Sequence, residues 1–158
     1  MILFGVMYPL AITGIAKITA ANGGEGRTVT VDGKLVGFEV IGQSFTSDKY
    51  FNNRPSAVGY NAAAAGGSNK GPTNPVYLAQ VEERILNFLR KNPAVKREQV
   101  TVDLVTASGG GLDPHISPEA ALIQIRRIAG TRGMEEQQLR TLVDQHTETP
   151  LFGVLGTP

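Results

Sequence analysis

The stretch NAAAAGGSNKGPTNP, Asn61 to Pro75, is where the chain passes from irregular to regular spacing. Small residues give way to Gly66-Gly67, a lone Lys70 and Gly71-Pro72. Asn74-Pro75 then supplies a side-chain cap followed by proline at the first helical position. Such a loop either cradles a phosphate or is shaped for another protein to read. A P-loop needs G-x-x-x-x-G-K-[ST] between a strand and a helix, so that backbone N–H groups and the lysine surround the anion. In GGSNKGPT the lysine precedes the next glycine, an alanine run stands where the strand belongs, and Pro72 removes a donor. The phosphate reading fails. Tight turns at Gly66, Gly67 and Gly71-Pro72, with local hydrogen bonds from Ser68 and Asn69, make a loop that a partner reads or that braces the domain.

Downstream, Leu78, Val81, Ile85, Phe88 and Leu89 recur on one helical face, with Glu82, Glu83 and Arg90 opposite, until Asn92-Pro93 stops the helix. QVTVDLVTAS, Gln99 to Ser108, predicts a strand with Val100, Val102 and Leu104 on one face. Ser117-Pro118 caps a second helix, whose Leu122, Ile125, Ile128 and Ala129 form a buried stripe and which ends at Gly130 or Gly133. MEEQQLRTLVDQH makes a third, short helix through Leu139, Leu142 and Val143, and the tail TETPLFGVLGTP lacks periodicity. Upstream, TVTVDGKLVGFEVIG, Thr28 to Gly42, reads as a β-hairpin turning at Asp32-Gly33. From Gln43 to Thr73 the chain is irregular, a length that in a compact domain means either function or a wrong assignment of elements. The class is α+β, with no internal repeat.

The N-terminus differs in kind. MILFGVMYPLAITGIA, Met1 to Ala16, has no charge, and Thr13 is its one clearly polar side chain. As a helix it reaches about 24 Å, short of the roughly 30 Å hydrocarbon core of a bilayer. The segment suits the outer part of an incomplete transmembrane helix, a signal-peptide core cleaved near Thr19 and Ala21, or a buried soluble helix. Tyr8-Pro9 in mid-run and the lack of preceding basic residues favour the membrane. The polar hinge ITAANGGEGR follows, so the chain divides into a membrane helix over 1–20 and a mixed domain over 21–158.

Fifteen basic and fourteen acidic side chains leave a net charge of +1, with Arg126-Arg127 the densest basic pair, so nucleic acid is not indicated as a partner. Cysteine is absent, which removes disulfides, thiol catalysis and zinc–cysteine sites. No Rossmann G-x-G-x-x-G occurs, and Asp113 with two prolines after Gly109-Gly110-Gly111 opposes anion binding there. Ser108, Asp113 and His115 lie close in sequence without the G-x-S-x-G elbow, and Asp-Pro-His-Ile-Ser reads more simply as a turn into a helix cap. A secreted or anchored hydrolase using Ser108 and His115 is one alternative, and a soluble small-molecule binding module is another. His146, at a helix C-terminus, complements the dipole. Neither histidine has carboxylates at ligand spacing, so no metal site is expected. What remains is FTSDKYFNNRPSA, where Phe45, Tyr50, Phe51 and Arg54 are of the types that anchor interfaces, and equally of the types that fill a core edge.

Six blocks carry a resemblance: YPLAITGIA, ANG, IGQSFTSDKYFNNRPSA, YNAAAAGGSNKGPTNP, VTVDLVTASGGGLDPHISPEAA and LVDQHTETP. In this order they resemble the signature blocks of the KdpC family, the C chain of bacterial potassium-transporting Kdp ATPases, from Tyr8 to Pro158. The resemblance implies a single-pass protein of the cytoplasmic (inner) membrane with its main domain on the extracytoplasmic side. It implies a non-catalytic accessory subunit that assists assembly and stability and raises the potassium or ATP affinity of the complex. The implied partners are a potassium-translocating subunit, a P-type ATPase subunit and a small single-helix subunit. Family members often carry an ATP-binding label. With no phosphate loop in this chain, no cofactor is expected to bind directly, and ATP, magnesium and potassium act in the other subunits. No catalytic residue carries over; the interface candidates are Gln43, Phe45, Tyr50, Phe51, Arg54, Gly66, Gly67, Ser68 and Asn69. Family members begin with a fuller membrane helix and continue past LGTP, so both ends are expected to be shortened here.

Overall fold

The computed structural model describes residues 1–150. They form two compact units, Met1–Ile41 and Gly42–Pro158, the second described as far as Pro150. In the first unit a π-helical turn, Leu3–Met7, runs into helix α1, Tyr8–Thr19. The widening has a local cause. Pro9 lacks an N–H and its ring clashes with the carbonyl four residues back in a tight helix; here the Tyr8 N–H reaches five residues back to the Leu3 carbonyl. Thr13 and Thr19 donate their hydroxyls to the Pro9 and Ile15 carbonyls, at 2.8 and 2.9 Å, so neither leaves a free donor on the helix surface. The apolar side chains of this helix are exposed. Among the described residues no helix is long and apolar enough to cross a membrane.

The expected hairpin follows, as β1, Thr28–Val31, paired antiparallel with β2, Lys34–Phe38. Asp32 and Gly33 both take positive φ, 51° and 74°, which the tight turn requires and which Asp and Gly tolerate. A register shift between Val29 and Thr30 bends the ribbon.

The second unit is built on helices. Helix α2, Pro75–Lys91, starts where Asn74 accepts the Tyr77 N–H at 3.1 Å. Helix α3, Pro118–Leu122, starts where Ser117 accepts the Ala120 N–H at 3.2 Å. Helix α4, Ile125–Arg132, closes on Gly133 in the left-handed conformation, which settles the choice between Gly130 and Gly133. Helix α5, Glu136–Gln145, has a reciprocal cap between Glu135 and Gln138. Ala121, Ile125, Ile128, Ala129, Leu139 and Val143 form one buried cluster; Phe88, Leu104, Val105 and Ala120 form another.

Three expectations are corrected. The strand over Gln99–Ser108 is instead two single 3₁₀ turns, Arg97–Gln99 and Val102–Leu104. Val102 is exposed while Leu104 is buried, so they do not share a face. β-Propensity is overridden: the Thr106 hydroxyl closes a local turn on the Val102 carbonyl at 2.8 Å, and the Asp103 carboxylate accepts the Ser117 N–H at 2.7 Å from farther along the chain. Second, the single helix after Ser117 breaks at Ile123-Gln124, where the Gln124 side chain bonds out to another segment. Third, Leu78 and Leu142, read with the apolar residues of their helices, are exposed. The expectations for Leu151–Pro158 fall outside the described residues.

Candidate functional site

The irregular segment from Gln43 to Tyr60 is held by side chains rather than by a ladder. Arg127, on α4, is its main anchor. Its guanidinium donates to the Asp48 carbonyl, to the Tyr50 carbonyl at 3.1 Å, to Asn92 at 2.9 Å and to Gln124 at 2.8 Å. Gln124 is fully buried; its oxygen accepts the Asn52 N–H at 2.7 Å and its amide donates to the carbonyls of Asn52 and Ala120. Burial pushes the Arg127 guanidinium below its ordinary pKa, against the opposing pull of Asp48. Lys91 adds an ion pair to Asp48 at 3.3 Å and a hydrogen bond to the Thr46 carbonyl. Asn53 donates to the Gln43 carbonyl at 2.7 Å, and the Tyr60 hydroxyl donates to the Arg54 carbonyl at 2.6 Å. Burial raises the Tyr60 phenol above its usual pKa, against a lowering pull from Arg84 and the Asn53 hydrogen bond.

This frame sorts the aromatic residues. Phe45 and Tyr50 are nearly half exposed and pack on each other at a ring separation of 5.5 Å, with the Arg132 guanidinium 5.7 Å from the Tyr50 ring centre. Phe51 turns inward against the α4–α5 cluster. It also lines a groove of about 560 Å³ whose rim carries both histidines, His115 and His146. His146 is bonded back to the Leu142 carbonyl at 2.9 Å, the helix-end role expected of it.

The two glycine stretches, read separately in sequence, meet. The Gly66 N–H donates to the Gly110 carbonyl at 2.9 Å. A methyl group at Gly67 would sit 2.9 Å from the Gly109 carbonyl oxygen, and one at Gly111 would sit 2.7 Å from the Gly66 carbonyl oxygen. Gly111 also has a φ of +69°. The backbones touch where side chains would stand, and Ser56 clamps the contact by donating to the Gly111 carbonyl at 2.6 Å. Gly66 and Gly67 therefore brace the domain. Ser68 is half-buried beside them, and Asn69 is exposed with a positive φ of 51°.

Arg54 pairs with Asp113 at 3.0 Å, and the other Asp113 oxygen accepts from the His115 backbone and ring. Burial pushes the Asp113 carboxyl up, but the His115 bonds and the Arg54 charge outweigh it and hold the group below the usual carboxylate range. Asp103 is lowered likewise, burial being outweighed by its bonds from Ser117. The Ser108–His115 hydrolase loses its geometry here. Ser108 is buried with an Oγ that has no hydrogen-bond partner among the described residues, whereas His115 is exposed and turned to Asp113. Among the described residues no group of three or more His, Asp or Glu side chains is placed to hold a metal ion.

The family model described as "K+-transporting ATPase, c chain" matches residues 1–158. The chain belongs to the KdpC family. It is 53% identical to the potassium-transporting ATPase KdpC subunit of Flavobacterium johnsoniae, across 97% of this chain and 83% of that protein. The KdpC subunit of Flavobacterium psychrophilum is 51% identical across 99% and 84%. That of Caldanaerobacter subterraneus subsp. tengcongensis is 46% identical across 100% and 82%. KdpC is an accessory, non-catalytic subunit of its ATPase, and neither the hydrolase nor the small-molecule binding module finds support.

Of the nine interface candidates, Gln43, Phe45, Tyr50 and Asn69 are exposed, while Phe51, Arg54, Gly66, Gly67 and Ser68 serve the domain's own packing to varying degrees. Sequence reasoning missed the partners made by buried Asn92 and Gln124 and half-buried Asn52, and saw Arg127 only as half of a basic pair. A glutamine between Leu122 and Ile125, within an apolar stripe, was the available signal: such a residue is buried only with partners.

Proposed function

We propose that this KdpC-family chain is anchored in the bacterial cytoplasmic membrane by its first 20 residues and carries its main domain on the extracytoplasmic side. There the exposed Phe45–Tyr50 pair, flanked by Gln43, docks on the potassium-translocating subunit. Through that contact the chain assists assembly of the complex with the P-type ATPase subunit and the small single-helix subunit. ATP, magnesium and potassium act in those partners, and the accessory chain raises the affinity of the whole complex for its substrates.

The observation that carries the reading is the frame around the aromatic pair. Buried Gln124 and half-buried Arg127 fix backbone carbonyls from Asp48 to Asn52, yet Phe45 and Tyr50 are left outward on that fixed loop. A rigid, solvent-exposed aromatic pair with a stacked arginine has the composition of a protein-binding hot spot. The exposed apolar helix at the N-terminus supports the membrane anchor, because an all-round apolar surface is stable only when covered.

Detergent co-purification of the tagged chain with the other Kdp subunits, with potassium-stimulated ATPase assayed with and without it, tests the reading. Stable assembly and reduced activity without the chain are expected, together with loss of assembly in a Phe45→Ala, Tyr50→Ala double variant. Full activity of the remaining subunits without this chain would overturn it.

A further inference from the structure

Behind the aromatic loop lies a second groove, of about 360 Å³, between the end of α2 and α4. Its floor is apolar, with Pro93, Val95 and Ile123, and its rim carries Lys91, Arg126 and Arg127. Two of these cations are already occupied: Lys91 by Asp48, and Arg127 by Asn92, Gln124 and two loop carbonyls. Arg126 is exposed and forms no hydrogen bond or ion pair within the described residues. The groove is joined to the Phe45–Tyr50 surface through Lys91 and Arg127, which hold that loop's backbone from the groove side.

We propose that this groove receives an acidic segment of the partner subunit, an Asp or Glu pairing with Arg126 while a neighbouring aliphatic side chain covers the Pro93–Ile123 floor. This deepens the docking reading above and rests on it. Charge complementarity supports it: no acidic side chain lines the groove, and of its three cations Arg126 alone has no partner among the described residues. A bilayer surface is the weaker occupant. Adsorption to anionic lipid takes a cluster of several unpaired Lys or Arg side chains, whereas a net charge of +1 and one unpartnered arginine over an apolar floor match a discrete side-chain pair.

The test uses the full-length chain co-expressed with the other Kdp subunits. Arg126→Glu is expected to lower the co-purified yield at least ~10-fold at low salt, and Thr131→Glu, which adds a negative charge to the same rim, to lower it less. Arg126→Lys is expected to retain assembly and to give a carbodiimide cross-link to an acidic residue of a partner subunit, identified by mass spectrometry and missing in Arg126→Ala. Wild-type assembly with Arg126→Glu yield and salt dependence unchanged, or with no such cross-link, would overturn the groove and leave the accessory-subunit reading standing. A wild-type chain that does not co-purify would overturn both. Wild-type binding to phosphatidylglycerol vesicles that Arg126→Glu abolishes, with assembly unaffected, would transfer the groove to lipid and so reject the acidic partner.

Discussion

In the hairpin of residues 1–41, Val29, Val31, Leu35, Val36 and Phe38 are 40% exposed or more; in the helical unit after Gly42, Ile125, Ile128 and Leu139 are 3% exposed or less. Both sets are branched aliphatics, joined in the first by Phe38, so aliphatic composition does not separate them. Periodicity does. A two-stranded ribbon encloses no core between its own two strands and in isolation is marginal. Three short helices can close around one stripe each. The second unit therefore has a buried core of its own, while the hairpin taken by itself has none among the described residues.

The contrast can be broken most sharply from the core side. Ile128→Ala is expected to destabilise the chain by about 2–5 kcal/mol, read by urea unfolding. Gly111→Ala joins a 2.7 Å backbone clash to a φ of +69° and should cost about 2–4 kcal/mol in the same assay, against about 1 kcal/mol at Gly33, where φ is +74° but space is open. Gln124→Ala leaves the Asn52 N–H and the Ala120 carbonyl without their partners and is expected to cost about 1–3 kcal/mol, with faster hydrogen exchange at residues 48–52. If the loop stayed protected in that variant, the polar frame would not be what fixes the aromatic pair.

Acid supplies a smaller effect. Asp103 and Asp113 are held below their ordinary pKa values in the folded state, so they contribute stability that is present above about pH 4 and lost as pH falls through their folded-state values. Asp113→Asn should lower the Tm at pH 7 and shrink its drop toward pH 3, a difference of at most about 1 kcal/mol because the pair with Arg54 is partly solvated. The smallest change is expected in the hairpin: Val31→Thr should stay within about 0.5 kcal/mol in the isolated chain. If Val31→Thr proved as costly as a core truncation, the two regions would not differ as described.

The helices and the hairpin were legible because their signals are local. Asn74-Pro75, Ser117-Pro118 and Asp32-Gly33 each announce an end or a turn through their own side chains. The segment Gln99–Ser108 was misread because Val-x-Val-x-Leu carries strand propensity, while the residue that decides its path, Asp103, acts through Ser117 farther along the chain. For the candidate site, Phe45, Tyr50, Phe51 and Arg54 were found by type, but which of them face outward was not. That depends on Arg127 and Gln124, more than 70 residues away in sequence. The glycine contact was hidden for the same reason: each run has its own local turn meaning, and the mutual approach of Gly67 and Gly109 has no signature in either alone.

The long-range frame also sets an order of events during synthesis. Asn52 is bonded to a side chain 72 residues later, and Tyr50 to one 77 residues later. When the aromatic loop first leaves the ribosome, nothing it will rest on has yet been made. Helix α2 has local contacts and can form early; the loop must wait, solvated, until α4 emerges. A chain stopped before Gln124 would thus carry every residue of the aromatic pair in the wrong state: present, unfixed, and free to adhere to whatever apolar surface it meets first.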